Sequence, residues 1–435
     1  MALGGGIWTV QNKPLPGSYI NFVSASRATL TFSDRGYSAV ALPLSWGEEG
    51  KIFTVEQEEF QTKSRDIFGY SYDADEMKNL RELFLNAKTV YFYRLNTATK
   101  AVFSLGYAKY GGVRGNDLKV VISANVDDPT KYDVLSYLGT SLIDNQTVGS
   151  AAELVDNNFI VFDKEATIAV TAGEPLTGGT DGTVNGDAYQ SFLNAIEGYY
   201  FNTLICTSTE STIKSLYFQY TKRMRDDIGA KFQCVIYRYE TADYEGVISV
   251  QNKVTGTGSK EHDLVYWVGG AEAACAVNKS LTNTAYNGEL EIETAETQTQ
   301  LKQAIESGKF MFHRVNDKVR VLTDINSFTS FTSEKNSDFA KNQTIRVLDQ
   351  VATDIATIFN ERYLGKVPND NIGRTDLWKD IVKHHETLQS LRAIQDFEDS
   401  DITIAQGEAK DSVLVIDYIT PVNAMEKLYM TVVVE

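Results

Sequence analysis

The chain is poor in the residues that carry most enzyme chemistry and most covalent staples. Three cysteines stand in 435 residues, Cys206, Cys234 and Cys275. Each lies in an apolar or small-residue run, which reads as a buried small hydrophobe of a reducing compartment rather than a disulfide or metal ligand. Seven prolines and no low-complexity stretch exclude long disordered linkers. No run approaches the roughly 18 apolar residues that cross a bilayer as a helix, and Met1 to Gly6 lacks the basic and apolar parts of a secretory leader. The expectation is a folded protein made in a cytoplasm, with no direct membrane insertion. Basic residues number 41 against 58 acidic, a net charge of -17, so no nucleic-acid partner is expected.

Catalytic constellations are equally scarce. A phosphate loop needs Gly-x-x-x-x-Gly-Lys-Ser/Thr after a strand, so that backbone N–H groups and the lysine converge on phosphate. Gly111-Gly112-Val113-Arg114-Gly115-Asn116 and Gly256-Thr257-Gly258-Ser259-Lys260 come nearest and read as loop glycines. Gly179-Thr180-Asp181-Gly182 has the composition of a turn joining two domains. His384-His385-Glu386 falls short of the zinc-protease pattern because Gln389 stands where the second histidine belongs, which leaves both histidines as helix-surface or interface residues. His262 and His313 are isolated, and no Gly-x-Ser-x-Gly elbow exists. No catalytic residue, cofactor or metal is expected, although a triad of distant Ser, His and Asp is defined by geometry and escapes this search.

What the chain does have is aromatic, β-prone sequence, with 23 Tyr and 21 Phe, and a change of pattern along its length. The periodicities predict an α+β multidomain protein. Glycines and prolines in 1–24 make an extended arm with strand-like pieces, including Tyr19, Ile20 and Phe22. A small α/β segment (25–99) follows, with a buried strand at Ser38 to Leu42, a helix at Asp75 to Leu85 and a strand at Thr89 to Tyr93. Residues 100–177 lose the helical period and read as an inserted all-β, sandwich-like module. Residues 178–326 alternate helix and strand as an α/β domain with a largely parallel sheet, closing on a hairpin of Phe310 to His313 against Val319 to Leu322.

Residues 327–419 form an α+β C-terminal domain. One helix carries an apolar stripe at Ile345, Leu348, Val351, Ile355 and Ile358, and a second is N-capped at Thr375. A β-hairpin pairs Ile402 to Ile404 with Val413 to Ile416. Lys379 and Lys383, four apart on the second helix, make a small basic patch that suits either solvent or an acidic partner. The last segment (420–435) ends in Leu428-Tyr429-Met430-Thr431-Val432-Val433-Val434. On pattern alone this is a strand that closes its own domain's sheet, or one that pairs with another molecule.

Several stretches together resemble the tail sheath proteins of contractile bacteriophages, especially those of Gram-positive myophages and defective prophages. They are Pro16 to Phe22, Gly179 to Gly182, Asp324 to Thr329, Asn342 to Asp349, Gly365 to Asp370, and Pro421 to Tyr429. The resemblance implies a non-enzymatic virion subunit that stacks as hexameric rings around an inner tail tube and meets baseplate and tail terminator proteins. It implies contraction from a metastable extended state, without nucleotide. It also implies that both arms add strands to neighbouring subunits: Tyr19, Ile20 and Phe22 from one, and Leu428, Tyr429, Met430, Val432 and Val434 from the other. The receiver would be the hairpin through Ile402, Ile404, Val413 and Val415, with Lys379 and Lys383 as candidate tube contacts. With a second strand-forming arm and no catalytic set, the closing segment reads as a connector. A phage-tail-like bacteriocin or other contractile injection system would share these features, and an α/β hydrolase-like enzyme is the rival of a different class.

Overall fold

A computed structural model describes residues 34–434 of the chain; Tyr19, Ile20 and Phe22 of the N-terminal arm lie outside them. The frame is a seven-stranded sheet in the spatial order Lys309–Phe310, Val247–Val250, Gln233–Tyr237, Thr203–Cys206, Tyr37–Leu42, Thr89–Arg94 and Ile52–Glu56. Six strands run parallel, and Ile52–Glu56 is antiparallel to Thr89–Arg94. Parallel strands need helical crossovers on both faces, so their side chains are buried in both directions and the strands read as unbroken apolar runs.

Side-chain alternation separates two cores. Val40, Phe92, Ile205, Val235 and Ile248 pack against the helices Lys78–Phe84 and Leu264–Ala274. Ala39, Ala41, Leu204, Cys206, Cys234 and Ile236 pack on the other face against Gly186–Ile196 and Ser211–Arg223. All three cysteines are free and buried.

The strands near residues 37–94 do not form a unit of their own, because they share this sheet with strands from 203–310. The intervening chain forms an antiparallel module. Its larger sheet has the order Thr171–Pro175, Leu118–Ala124, Tyr132–Leu138 and Ser141–Val148, and a second is built from Val102–Phe103, Gly106–Ala108 and Ile160–Phe162. Leu118, Val120, Val134, Ile160 and Trp46 belong to one core between them. The chain leaves and re-enters the central sheet at one place. There Asn96 Nδ2 donates to the Asp181 carbonyl and Thr99 bridges Thr180. Gly182 has φ +62°, and a Cβ on it would lie 1.9 Å from the Thr97 carbonyl oxygen, so only glycine closes this turn.

Local details depart from expectation. Phe310 joins the central sheet, and the hairpin runs from Phe312–Val315 to Lys318–Val321. The second C-terminal helix begins at Asn371, with Asp370 accepting from the Gly373 N–H; Thr375 lies inside it and donates to the Asn371 carbonyl. Gly256 to Lys260 does sit between a strand, Val254–Thr255, and the helix Leu264–Ala274.

Candidate assembly surface

The C-terminal region is joined to the central layer by buried charge. On the helix Asn342–Ile358 the buried residues include Asn342, Arg346, Asp349 and Asp354 besides Ile345 and Ile358, while Leu348, Val351 and Ile355 of the apolar stripe are only half-buried. Arg346 reaches Glu272 at 2.6 Å and Asp324 at 3.2 Å, with all three side chains about 1 % exposed. Arg225 grips Asp349 through two hydrogen bonds of 2.7 and 2.8 Å. Asn342 links Asp324, Glu272 and Gln233.

Burial and the adjacent Asp324 push Glu272 well above the ordinary carboxyl range, against Arg346. Burial also pushes Asp324 upward, but Arg346 and its hydrogen bonds outweigh that and hold it below the usual value. Buried charges need such partners, and their geometry fixes one relative placement of helix and sheet.

His384 and His385 are buried, not surface residues. His384 Nε2 lies 2.9 Å from Asp354, and His385 has Nδ1 3.1 Å from the Ile381 carbonyl and Nε2 2.9 Å from an Asp417 carboxylate oxygen. Their helix packs against the hairpin Ile402–Gln406 and Val413–Asp417. Its inward side holds Ile402, Ile404, Val413 and Val415, all buried or half-buried, whereas Leu414 and Ile416 are 54 % and 46 % exposed.

The hairpin's ladder is readable from its ends. Gly407 N–H donates to Ser412 and Tyr418 N–H to Asp401, which makes 405/414 and 403/416 the hydrogen-bonded pairs of this antiparallel register. Residues 402, 404, 406, 413, 415 and 417 therefore point their backbone groups to the outer edges. Trp378 covers the Ile402 carbonyl at 3.0 Å. Among the described residues, no other strand pairs with either edge. Beside the Val413 end opens a cavity of about 310 Å³ lined by Phe359, Tyr363, Leu364, Val367 and Leu377.

The chain beyond the hairpin is held and then let go. Thr420–Pro421 pairs with Ile394–Gln395, and Val422 N–H donates to Ala393. The Gln343 amide bonds Val422 and Ala424, and Glu426 accepts from Thr282, Thr323 and Lys341. After Glu426 no contact holds the backbone among the described residues. Leu428 is 85 % exposed, Tyr429 88 % and Val434 89 %, and the segment enters no sheet among the described residues. Lys379 and Lys383 are both exposed, with Lys379 3.1 Å from Asp376 on the same helix. Among the described residues no group of three or more His, Cys, Asp or Glu side chains is placed to hold a metal ion.

Comparison with known proteins decides what this arrangement belongs to. Four family models match in succession: a tail sheath domain III N-terminal region over 35–95, a phage tail sheath β-sandwich domain over 96–181, a central domain over 182–327 and a C-terminal domain over 334–435. A protein of the phage-like element PBSX of Bacillus subtilis is 34 % identical over 99 % of both chains. The chain belongs to the phage tail sheath family.

The sheath tail protein of Desulfitobacterium hafniense, at 37 % identity, matches 94 % of this sheath protein and 98 % of its own chain with a TM-score of 0.84. That of Listeria innocua matches at 33 % identity, 91 % and 93 % coverage and a TM-score of 0.78. The contracted helical sheath of the anti-feeding prophage, at 11 % identity, 97 % and 99 % coverage and a TM-score of 0.57, shares the fold. The family is one of structural proteins, and the mixed helix and sheet architecture agrees with the α+β multidomain expectation. Sequence periodicity missed the buried charge of Arg346, Asp349 and Asp354; their opposite signs one helical turn apart were the available signal.

Proposed function

We propose that this sheath subunit polymerises by β-strand addition, passing residues 428–434 to the free hairpin edge of a neighbouring copy. The observation that carries the reading is the pairing of two unmet needs in one chain. An apolar, β-prone segment is exposed beyond a clamp, and a two-stranded hairpin has edges that no other strand pairs among the described residues. Main-chain hydrogen bonds at about 1 kcal/mol net each, repeated over many subunits, make a cohesive mesh whose flanking chain still hinges. Leu428, Tyr429, Met430, Val432 and Val434 are the donor side, and Ile402, Ile404, Val413 and Val415 the receiver. Tyr19, Ile20 and Phe22 of the N-terminal arm fill the same role toward a second neighbour.

The assembled form is a stack of hexameric rings around an inner tube, attached to baseplate and terminator, built in the host cytoplasm and carried in the virion tail. It contracts from a metastable extended state without cofactor or enzymatic turnover. Lys379 and Lys383 face the tube.

Deleting residues 428–435 tests this reading. The shortened protein folds with an unchanged thermal midpoint and forms no long striated tubes in negative stain; normal tubes from it refute strand addition.

A further inference from the structure

We propose that residues 422–426 form a peelable latch that stores tether length between the folded core and the exchanged segment. The proposal rests on the strand-addition reading above and goes beyond it, because it assigns a second, movable state to chain that the isolated subunit holds in place.

Past the Val422 N–H bond to the Ala393 carbonyl, this stretch is held by side chains and not by a backbone ladder. The Gln343 side chain stands in for a neighbouring strand, donating to the Val422 carbonyl and accepting from Ala424 N–H, both at 2.9 Å. Thr344 Oγ1 bonds Asn423 Oδ1 at 3.1 Å. The Glu426 carboxylate takes Thr282 at 2.7 Å, Thr323 at 3.1 Å and Lys341 Nζ at 2.5 Å. Apolar burial contributes almost nothing, since Asn423 and Ala424 are exposed and Met425 is 100 % exposed. Polar contacts at a surface exchange for water with little net change, one after another, whereas a buried strand is lost as a whole.

The latch is also seated on rigid ground. Lys341, Gln343 and Thr344 stand at the start of the helix whose Arg346 is locked to Glu272 and Asp324. Peeling proceeds from the loose side, Lys427, toward Val422, and stops at the backbone pair Thr420–Pro421 with Ile394–Gln395. Five released residues lengthen the tether by about 17 Å at roughly 3.4 Å per extended residue. A lattice whose subunits shift while both ends of each arm stay bound requires such a reserve.

Hydrogen–deuterium exchange on full-length protein, measured in the isolated chain and in tails before and after contraction, tests the latch. The amides of Val422 and Ala424 are expected to be protected in the isolated chain and in one tail state, and to exchange at least tenfold faster in the other. Equal protection in both tail states, with residues 428–434 protected in both, overturns the latch and leaves strand addition standing. Residues 428–434 exchanging in tails as fast as in the isolated chain overturns strand addition itself. Glu426→Ala in the isolated chain provides a second measurement. Tenfold faster exchange at Ala424 supports the latch, and unchanged exchange overturns it as a unit clamped through Glu426.

Discussion

Val247-Ile248-Ser249-Val250 and Val432-Val433-Val434 are nearly the same β-prone sequence in opposite states. The first is buried at every residue between two strands of the central sheet. The second is 70–89 % exposed and pairs with nothing among the described residues. Propensity therefore sets what a segment can become, and available edges set whether it does so inside the chain or between chains. The hairpin Ile402–Gln406 with Val413–Asp417 supplies the complement, an edge with no strand on it among the described residues.

The comparison breaks most completely when the buried member is charged. Ile248→Asp places an unpaired carboxylate in the core, and a loss of more than about 4 kcal/mol is expected, read as failure to fold in circular dichroism. Val433→Asp should leave the thermal midpoint of the isolated chain unchanged; a large fall would mean that the segment is packed within its own subunit. Next in size is Arg346→Met, which strands Glu272 and Asp324 and should cost about 3–5 kcal/mol in urea unfolding.

Val415→Pro sharpens the comparison from the receiving side. Its N–H faces the outer edge and makes no bond among the described residues, so the substitution should change stability by less than about 1 kcal/mol yet abolish long tubes. Tubes of normal length would place the receiving edge elsewhere.

A pH effect follows from Glu272. Its folded-state pKa lies above the ordinary value of 4.5, so its contribution is fully present below that value and is lost as pH rises through the raised one. Glu272→Gln removes this titration, and its stability relative to the native chain should improve from pH 5 to pH 8 in urea titrations; a falling difference would contradict the assignment. The smallest effect is expected from Lys379→Glu with Lys383→Glu, which should weaken retention on the tube severalfold while leaving tube-free sheath assembly intact, as scored by electron microscopy of tails.

Much of the frame was legible before the structure. Ser38 to Leu42 and the helix–strand alternation of 178–326 could be read because strands buried on both faces, such as Thr203–Cys206 and Gln233–Tyr237, are unbroken apolar runs. Which strands would share a sheet was not legible, since a run does not name its neighbour; hence the strands before residue 95 joined those after 203, and Phe310 left its hairpin. The C-terminal helix misled for a different reason. Its apolar stripe is buried at Ile345 and Ile358 only, and the Arg346 and Asp349 side is buried as well because it finds partners on Glu272, Asp324 and Arg225 that are distant in sequence. His384 and His385 lie in register with Ile381 and Leu388, a helical spacing that could have predicted their burial.

The hairpin register, from Ile402 against Asp417 to Gln406 against Val413, came from the structure, but the hairpin of Ile402 to Ile404 with Val413 to Ile416 was visible in the sequence. Its open edges were not, because exposure of a backbone edge depends on what the rest of the chain leaves uncovered. The clamp at Glu426 was likewise hidden, as Lys341, Thr282 and Thr323 lie 85 to 144 residues away.

Cryo-electron microscopy of the assembled sheath, at a resolution that traces side chains, tests the central claim most directly. The account predicts residues 428–434 of one subunit hydrogen-bonded along residues 413–417 or 402–406 of another. Density showing the same segment paired within its own subunit, with the hairpin edges bare, would contradict it.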